Sequence, residues 1–565
     1  MRPLVRLAVT IAKWPLLKFF LEYLSGFLAM RLSVKLFIVH ICLLGCMSCG
    51  DRKKLVDIGV EQQILHIANG NEIADIDPQI TTGMPENRVI VALSEGLTLK
   101  DPRTLKVIPG VAERWEVSSD GMTYKFFIRE NAKWSNGDDL TANDFVQSWR
   151  RSFLPALGNQ YASSLYVIKN AQAFHEGKVT FDQVGVKALD QKTLEVQLIA
   201  PTSYFLQLLD HHSAFPVHIP TIEKFGAIDE RGTKWTRPEN FVGNGPFVPK
   251  TWTPNKYISV TKNPYYWDSG SVKLNEIRFY PIEKYSVEER MYRAGQVHIT
   301  YYLPRDKLPI YREKNDGVLR SFPNFATYFY RFNNTIKPLN DLRVRKALAY
   351  SIDRHKIVEF VTKFGQKPAY ALTPPDPNTY TPKAKMPYDP ELARQLLAEA
   401  GFPGGAGFPK LSIAFNTNDE HEKIAVAIQQ MWKKELGIEV ALDNVEWKVF
   451  LDRERQLDYE IDRASWYGDY LDPNTFLEMF TTGNGNNKTG FSNVKYDALI
   501  RNAALETSVE KRMDYFQQAE AILVDEVPIL PIYTYHWNRL VSNSVKGWYN
   551  NPMDYFSYKN VYLEK

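Results

Sequence analysis

Residues 410–442 read as strand, helix and strand: 410–416, then 422–436 closed by Gly437, then 438–442. That order calls for a parallel strand pair joined by a helical crossover, which places the chain in the α/β class. The unit continues through Val445-Glu446-Trp447 and a helix over 450–456. Next comes Asp458-Tyr459-Glu460-Ile461-Asp462, where polar and β-favouring residues alternate as in a strand with one buried face. Gly468 then permits a turn, and Asp472-Pro473 opens a helix on Asn474-Thr475-Phe476-Leu477. Open α/β sheets keep their ligands where strand ends run into helices, so a site is expected at this junction. At 565 residues the chain exceeds one ordinary core, and two or three domains are expected.

The junction reads Arg463-Ala464-Ser465-Trp466-Tyr467-Gly468-Asp469-Tyr470-Leu471-Asp472-Pro473. Arg463 can grip a carboxylate with two parallel N–H groups, and Asp469 can accept hydrogen bonds from an ammonium. Together they suit a zwitterion. The same residues also suit an ion pair with each other or with neighbours, with Trp466 in the core, because structural ion pairs outnumber sites.

Upstream, 63–68 reads as a strand and 89–93 as a helix, while 115–117 and 123–129 form a hairpin about Ser118-Ser119-Asp120-Gly121. Thr141-Ala142-Asn143-Asp144 caps a helix bearing Phe145, Val146 and Trp149. Residues 186–188 and 193–197 make another strand pair. Asp341 caps a helix over 342–352 on which Arg343, Arg345 and Lys346 are expected to face solvent. The tail from Val527 is β-like.

Two runs carry a resemblance. Lys133-Trp134-Ser135-Asn136-Gly137-Asp138, continued by Thr141-Ala142-Asn143-Asp144-Phe145-Val146-Gln147-Ser148-Trp149, is one; Arg463 to Pro473 is the other. Both resemble the periplasmic oligopeptide-binding proteins, in solute-binding protein family 5 of ABC transporters. That family reads Arg-Ala-x-Trp-x-x-Asp-Tyr-x-x-Pro at the second run, and this chain matches every fixed position. The likeness extends from about residue 64 to the C-terminus. It implies a three-domain, periplasmic-binding-protein-like α/β fold of class II, two lobes closing on a cleft. Domain I would comprise 63–94, 220–325 and 537–565, domain II 95–219, and domain III 326–536. Asp469 would hold a peptide's ammonium and Arg463 its carboxylate, with His421 near the peptide's C-terminus or simply in water at a helix start. Trp447, Trp466, Tyr161, Tyr535 and Met84 would line the cleft. The chain departs from the family at Thr362, where a lysine often serves the peptide carboxylate and Lys363 stands beside it here, and at Thr82, an acidic position in the family.

The resemblance further implies short peptides as ligands, the permease and ATPase of an ABC importer as partners, and no cofactor. A same-fold receptor for murein tripeptide, dipeptide, nickel or haem is the alternative. Against enzymes, His421-Glu422-Lys423-Ile424-Ala425 lacks the second histidine of a zinc peptidase, and no Gly-x-Ser-x-Gly elbow occurs. Asn244-Gly245 lacks the spacing of a nucleotide loop. Before Cys46 the chain carries six cations and only Glu22, a charge of +5, so with +4 overall the remainder is near −1, which speaks against nucleic acid. Basic residues from Met30, an apolar run, and Leu43-Leu44-Gly45-Cys46 read as a signal peptide ending in a lipidation site. Cys46 is the expected anchor, with Cys49 the alternative, Met30 the expected start, 1–45 the leader and 46–62 the anchor and tether.

Overall fold

The computed structural model describes residues 53–202, 204–363, 365–376 and 380–565. The leader, Met30, Cys46 and Cys49 lie outside the described residues. The stretch expected to be a tether is helical over Leu55–Gln62 (α1). Val56 holds α1 to the body, its N–H bonding the Gly295 carbonyl at 3.0 Å and its carbonyl meeting His298 Nε2 at 3.1 Å.

Strand β1 (Ile64–Gly70) is buried along nearly its whole length, as strands covered on both faces are. Helix α2 (Met84–Leu93) begins five residues earlier than its apolar pattern suggests, because Pro85 fits a first turn. Strands β2 (Ala112–Val117) and β3 (Thr123–Ile128) form the expected hairpin. Gly121, at φ +71°, turns it. Alternate residues Tyr124, Phe126 and Ile128 point inward. Helix α3 (Ala142–Ser152) starts where Asp144 Oδ2 accepts the Thr141 N–H at 2.7 Å, and it buries Phe145 and Trp149. Strands β4 (Val186–Ala188) and β5 (Thr193–Gln197) complete an antiparallel sheet in the order β2-β3-β5-β4. Strands β6 (Phe247–Thr253), β7 (Tyr257–Lys262) and β8 (Glu276–Pro281) join β1 in a second sheet, β1-β8-β7-β6.

The third sheet is the largest. Strand β9 (Leu319–Phe332) leads to α4 (Leu342–Tyr350), then to β10 (Leu411–Asn416), α5 (Asp419–Leu436) and β11 (Val440–Val445). Helix α6 (Trp447–Gln456), strand β12 (Ile461–Tyr467), the short helix α7 (Asn474–Leu477) and strand β13 (Ile529–Leu540) follow. The sheet runs from Lys367–Pro368 through β13-β9-β12-β10-β11. Its βαβ unit is the one legible in the sequence, with β10 parallel to β11. Asn418 caps α5 by accepting the Glu420 N–H at 2.9 Å, and Gly437 ends it at φ +70°. Strands β9 and β13 pair from Leu319↔Leu540 to Arg331↔Ile529, with the register interrupted between Pro323 and Thr327.

Two expectations need correction. Strand β12 begins at Ile461, not Asp458, because the Asp458 N–H bonds the Arg453 carbonyl and remains part of the end of α6. The strand then extends to Tyr467, so Arg463 and Trp466 lie within it. Arg345 is not on a solvated face. It is buried and donates to the carbonyls of Leu339, Glu526 and Val527 at 2.8–3.1 Å, satisfying chain ends that would otherwise be left unpaired. Arg343 does face solvent, paired with Asp341 at 2.6 Å.

Candidate functional site

One cavity, enclosing about 1540 Å³ of atom-free space with its opening to solvent included, is walled by parts of all three sheets' surroundings. Every cleft residue expected from the sequence touches it: Met84, Tyr161, His421, Trp447, Arg463, Trp466, Asp469 and Tyr535. Thr82 and Thr362 line it too.

Arg463 and Asp469 do not pair with each other. The Arg463 guanidinium donates to the Tyr535 hydroxyl at 2.9 Å and to Asn416 Oδ1 at 3.3 Å, and sits 5.0 Å over the Tyr328 ring. Its Nε has no partner, and among the described residues no carboxylate lies within 4.0 Å of it. A half-buried guanidinium held only by neutral groups keeps its full charge for an incoming anion. His421, in the first turn of α5, is buried rather than free in water, with Nδ1 3.4 Å from the Tyr328 hydroxyl. Burial, then the charge of Arg463, drives its pKa well down, so it stands as a neutral imidazole.

Asp469 follows Gly468, at which even a Cβ would meet Phe325 at 2.4 Å. The Thr475 hydroxyl accepts the Asp469 N–H at 3.0 Å and donates back to Oδ2 at 3.3 Å. His211 Nε2 lies 3.4 Å from Oδ1. The Lys100 ammonium bonds the Asp469 carbonyl at 3.2 Å and pairs with Asp210 at 3.1 Å. Although the Asp469 side chain keeps 20 % of its exposure, protein surrounds it closely enough to matter. Desolvation lifts its pKa to about 7, against the opposing pull of Lys100 and the Thr475 hydrogen bond. Burial also raises Glu478 to about 7, opposed by Asn474 and reinforced by Asp469.

Aromatic rings form the walls. Tyr161 lies 4.4 Å from His211 and 5.9 Å from Trp466. Trp447 stacks on Phe450 at 6.2 Å and points Nε1 at Glu86, 3.4 Å away. Tyr535 packs against Tyr467 at 5.1 Å.

Sequence reasoning missed His211, Lys100, Asn416 and Thr475. The adjacent pair His211-His212, two of only ten histidines in the chain, was the one usable signal; the others come together only through the fold. Ser213 Oγ lies 2.8 Å from His211 Nδ1, which with Asp469 imitates a hydrolase triad. Ser213 is 2 % exposed and does not reach the cavity wall, so its hydroxyl cannot meet a substrate held there.

A cavity that carries opposite charges at Arg463 and Asp469 and aromatic rings in its walls is built to enclose a small solute. The chain belongs to the bacterial extracellular solute-binding proteins, family 5, whose middle region matches residues 106–488. It is 37% identical over 89% of its length, and 94% of the relative's, to the periplasmic murein peptide-binding protein MppA of Escherichia coli (strain K12). It is likewise 37% identical to the periplasmic oligopeptide-binding protein OppA of Salmonella typhimurium, over 89% of this chain and 93% of that one. Haemophilus influenzae OppA, solved in complex with RPPGFSPFR, superposes at a TM-score of 0.85 with 36% identity, covering 89% of this chain and 99% of that one. Two structures of MppA are informative together. Each covers 89% of this chain and 98% of that one at 37% identity, but the TM-score is 0.84 for one and 0.59 for the unliganded open form. The sequence compared is the same, so the difference is conformational, and this chain's arrangement differs from the open one.

Proposed function

We propose that this protein captures short peptides in an extended conformation between its lobes and delivers them to the permease and ATPase of an ABC importer. The observation that carries this reading is the free edge of β12. That strand pairs with β9 along its whole length, from Phe332↔Ile461 to Ala326↔Tyr467. On its other side β10 pairs only with Ile461 and Asp462. From Arg463 to Tyr467 the second edge meets no strand among the described residues, and those residues line the cavity. An extended peptide can add there as a strand, through main-chain hydrogen bonds that ignore its sequence. Asp469 would take its ammonium and Arg463 its carboxylate, with His421 alongside. Asp469 lies six positions after Arg463, at most about 20–22 Å of backbone, the reach of a short peptide. Trp447, Trp466, Tyr161, Tyr535 and Met84 would bound side-chain pockets in which water fills unused space.

The peptide complex of Haemophilus influenzae OppA supports this reading. A second reading, a receptor for murein peptides, is favoured by equal identity to MppA. Calorimetry with tripeptides and with murein tripeptide separates the two. Lys-X-Lys peptides are expected to differ by no more than about 3 kcal/mol as X varies; binding of a single X, or of the murein peptide alone, overturns the broad reading. A peptide incubated with the protein should be recovered intact by mass spectrometry, whereas fragments would indicate a peptidase.

In the same proposal the three sheets mark three domains with the boundaries given above. Two of those boundaries, 325/326 and 536/537, cross the paired strands β9 and β13, which would carry the hinge. The protein would be held on the outer face of a bacterial membrane by lipid on Cys46, or else on Cys49. Mass spectrometry of protein expressed from Met30 should find a diacylglyceryl group on Cys46, and an unmodified Cys46 refutes the assignment.

A further inference from the structure

Besides Asp469 and Arg463, the cavity is lined by Gln160, Asn486, Lys488, Arg331 and Glu454. Its charges are unevenly paired. Arg331 is matched twice, by Glu454 and by Asp462 at 3.1 Å, and Arg455 pairs with Asp452. Among the described residues the Lys488 ammonium donates only to the Gly485 carbonyl, and no carboxylate lies within 4.0 Å of it. Arg231, also without a carboxylate partner among the described residues, donates to the carbonyls of Leu157 and Gly158 at 3.3 and 3.2 Å; at Lys488 the negative field of Glu454 is opposed by those of Arg331, Arg455 and Arg231. The neighbouring polar wall is held in place, with Asn486 Nδ2 donating to the Gln160 carbonyl at 3.0 Å. A half-buried ammonium that faces a ligand cavity with one protein carbonyl as its hydrogen-bond partner has two donors left, and a carboxylate supplies what it lacks.

We propose that Lys488 makes this part of the cavity a pocket for an acidic ligand side chain, so that the protein prefers peptides carrying Asp or Glu at one position. The inference rests on the peptide-binding reading above. The desolvation that lowers the Lys488 pKa to about 8 acts in the same direction, because an incoming carboxylate relieves it.

The test is calorimetry at pH 7 with trialanine and its nine variants bearing Glu, Gln or Lys at each position. At one position Glu should bind at least tenfold tighter than Gln, and Lys weaker still. Lys488→Met should reduce that Glu-to-Gln ratio to about one while leaving trialanine within about threefold. Lys488→Arg, which keeps the charge and guards against a mere packing defect, should preserve the preference. If wild type binds trialanine but shows no position favouring Glu, or if the preference survives Lys488→Met, the pocket assignment falls and the peptide reading stands. If no peptide binds wild type at all, both fall.

Discussion

The charges at Arg463 and Asp469 are held differently. Arg463 is held by neutral partners, the Tyr535 hydroxyl and Asn416, above the Tyr328 ring. A guanidinium does not deprotonate in a protein, so this end stays cationic at any working pH. Asp469 sits among Thr475, His211 and the Lys100 ammonium, and desolvation brings its proton equilibrium to about pH 7. The cationic end is a fixed charge and the anionic end a conditional one. Since both ends are largely desolvated, the difference lies in the chemistry of the two groups and in what an arriving ligand must do. An ammonium has to ionise Asp469 as it binds, whereas a carboxylate meets Arg463 ready.

The largest effect is expected at the anionic end. Asp469→Asn keeps the shape and strands the ligand ammonium in a dry site, which costs about 3–5 kcal/mol. Peptide affinity at pH 8 should therefore fall by roughly 150- to 5000-fold. N-acetylated peptides should lose similarly against wild type and little more against the variant, since both changes delete one contact. Equal binding by wild type and variant, with the fold intact by circular dichroism, would make Asp469 a structural carboxylate. At the fixed end, Arg463→Met should weaken free-carboxylate peptides by roughly 30- to 100-fold, from a charged hydrogen bond of about 2–3 kcal/mol. C-terminally amidated peptides should lose far less; an equal loss for both would show that Arg463 only shapes the wall.

That contrast was half legible in the sequence. Arg463 and Asp469 stood out because a cation, an anion and aromatics crowd one junction, and the βαβ unit that positions them has clear periodicity. Their surroundings did not stand out. His211 comes from 258 residues upstream and Lys100 from farther still, and no local pattern connects them to Asp469. Whether the two charges pair or stay apart was equally closed to inspection, because it depends on β12 running on to Tyr467. Arg345 misled for a related reason. On its own helix it looks solvated, and only the packed end of Val509–Glu526 supplies the carbonyls that bury it.

The conditional end should show itself in pH. Asp469 has a raised pKa, so its charge is present above about 7 and is lost as pH falls. Affinity for a peptide with a free amine should drop about fourfold between pH 8 and pH 6, the roughly tenfold loss of Asp469 charge being partly offset by fuller protonation of the amine, with a proton released on binding at the low end. Above about pH 8 the peptide amine itself deprotonates, so the profile should peak between. The groups around Asp469 bear on this. His211 stays neutral, burial being the main cause of its lowered pKa. Glu478, near 7, and Asp210, near 6, also charge across the range. Asp469→Asn should remove most of the slope. A slope that survives that substitution would transfer the conditional charge to Glu478 or Asp210.

The smallest effect sharpens the other half of the comparison. The Tyr535 hydroxyl accepts from the Arg463 guanidinium at 2.9 Å and does not change its charge. Tyr535→Phe removes that acceptor and leaves the ring against Tyr467. A hydrogen bond from a charged donor is expected to contribute about 1.5 kcal/mol, but the freed N–H faces a cavity that water can enter, so part of the loss is recovered. Free-carboxylate peptides should bind about three- to tenfold more weakly, with amidated peptides and the pH profile unchanged. If amidated peptides lose as much, the hydroxyl contacts the ligand directly and does not act through Arg463. If the pH profile moves, the two ends are coupled, and the division between a fixed and a conditional charge fails.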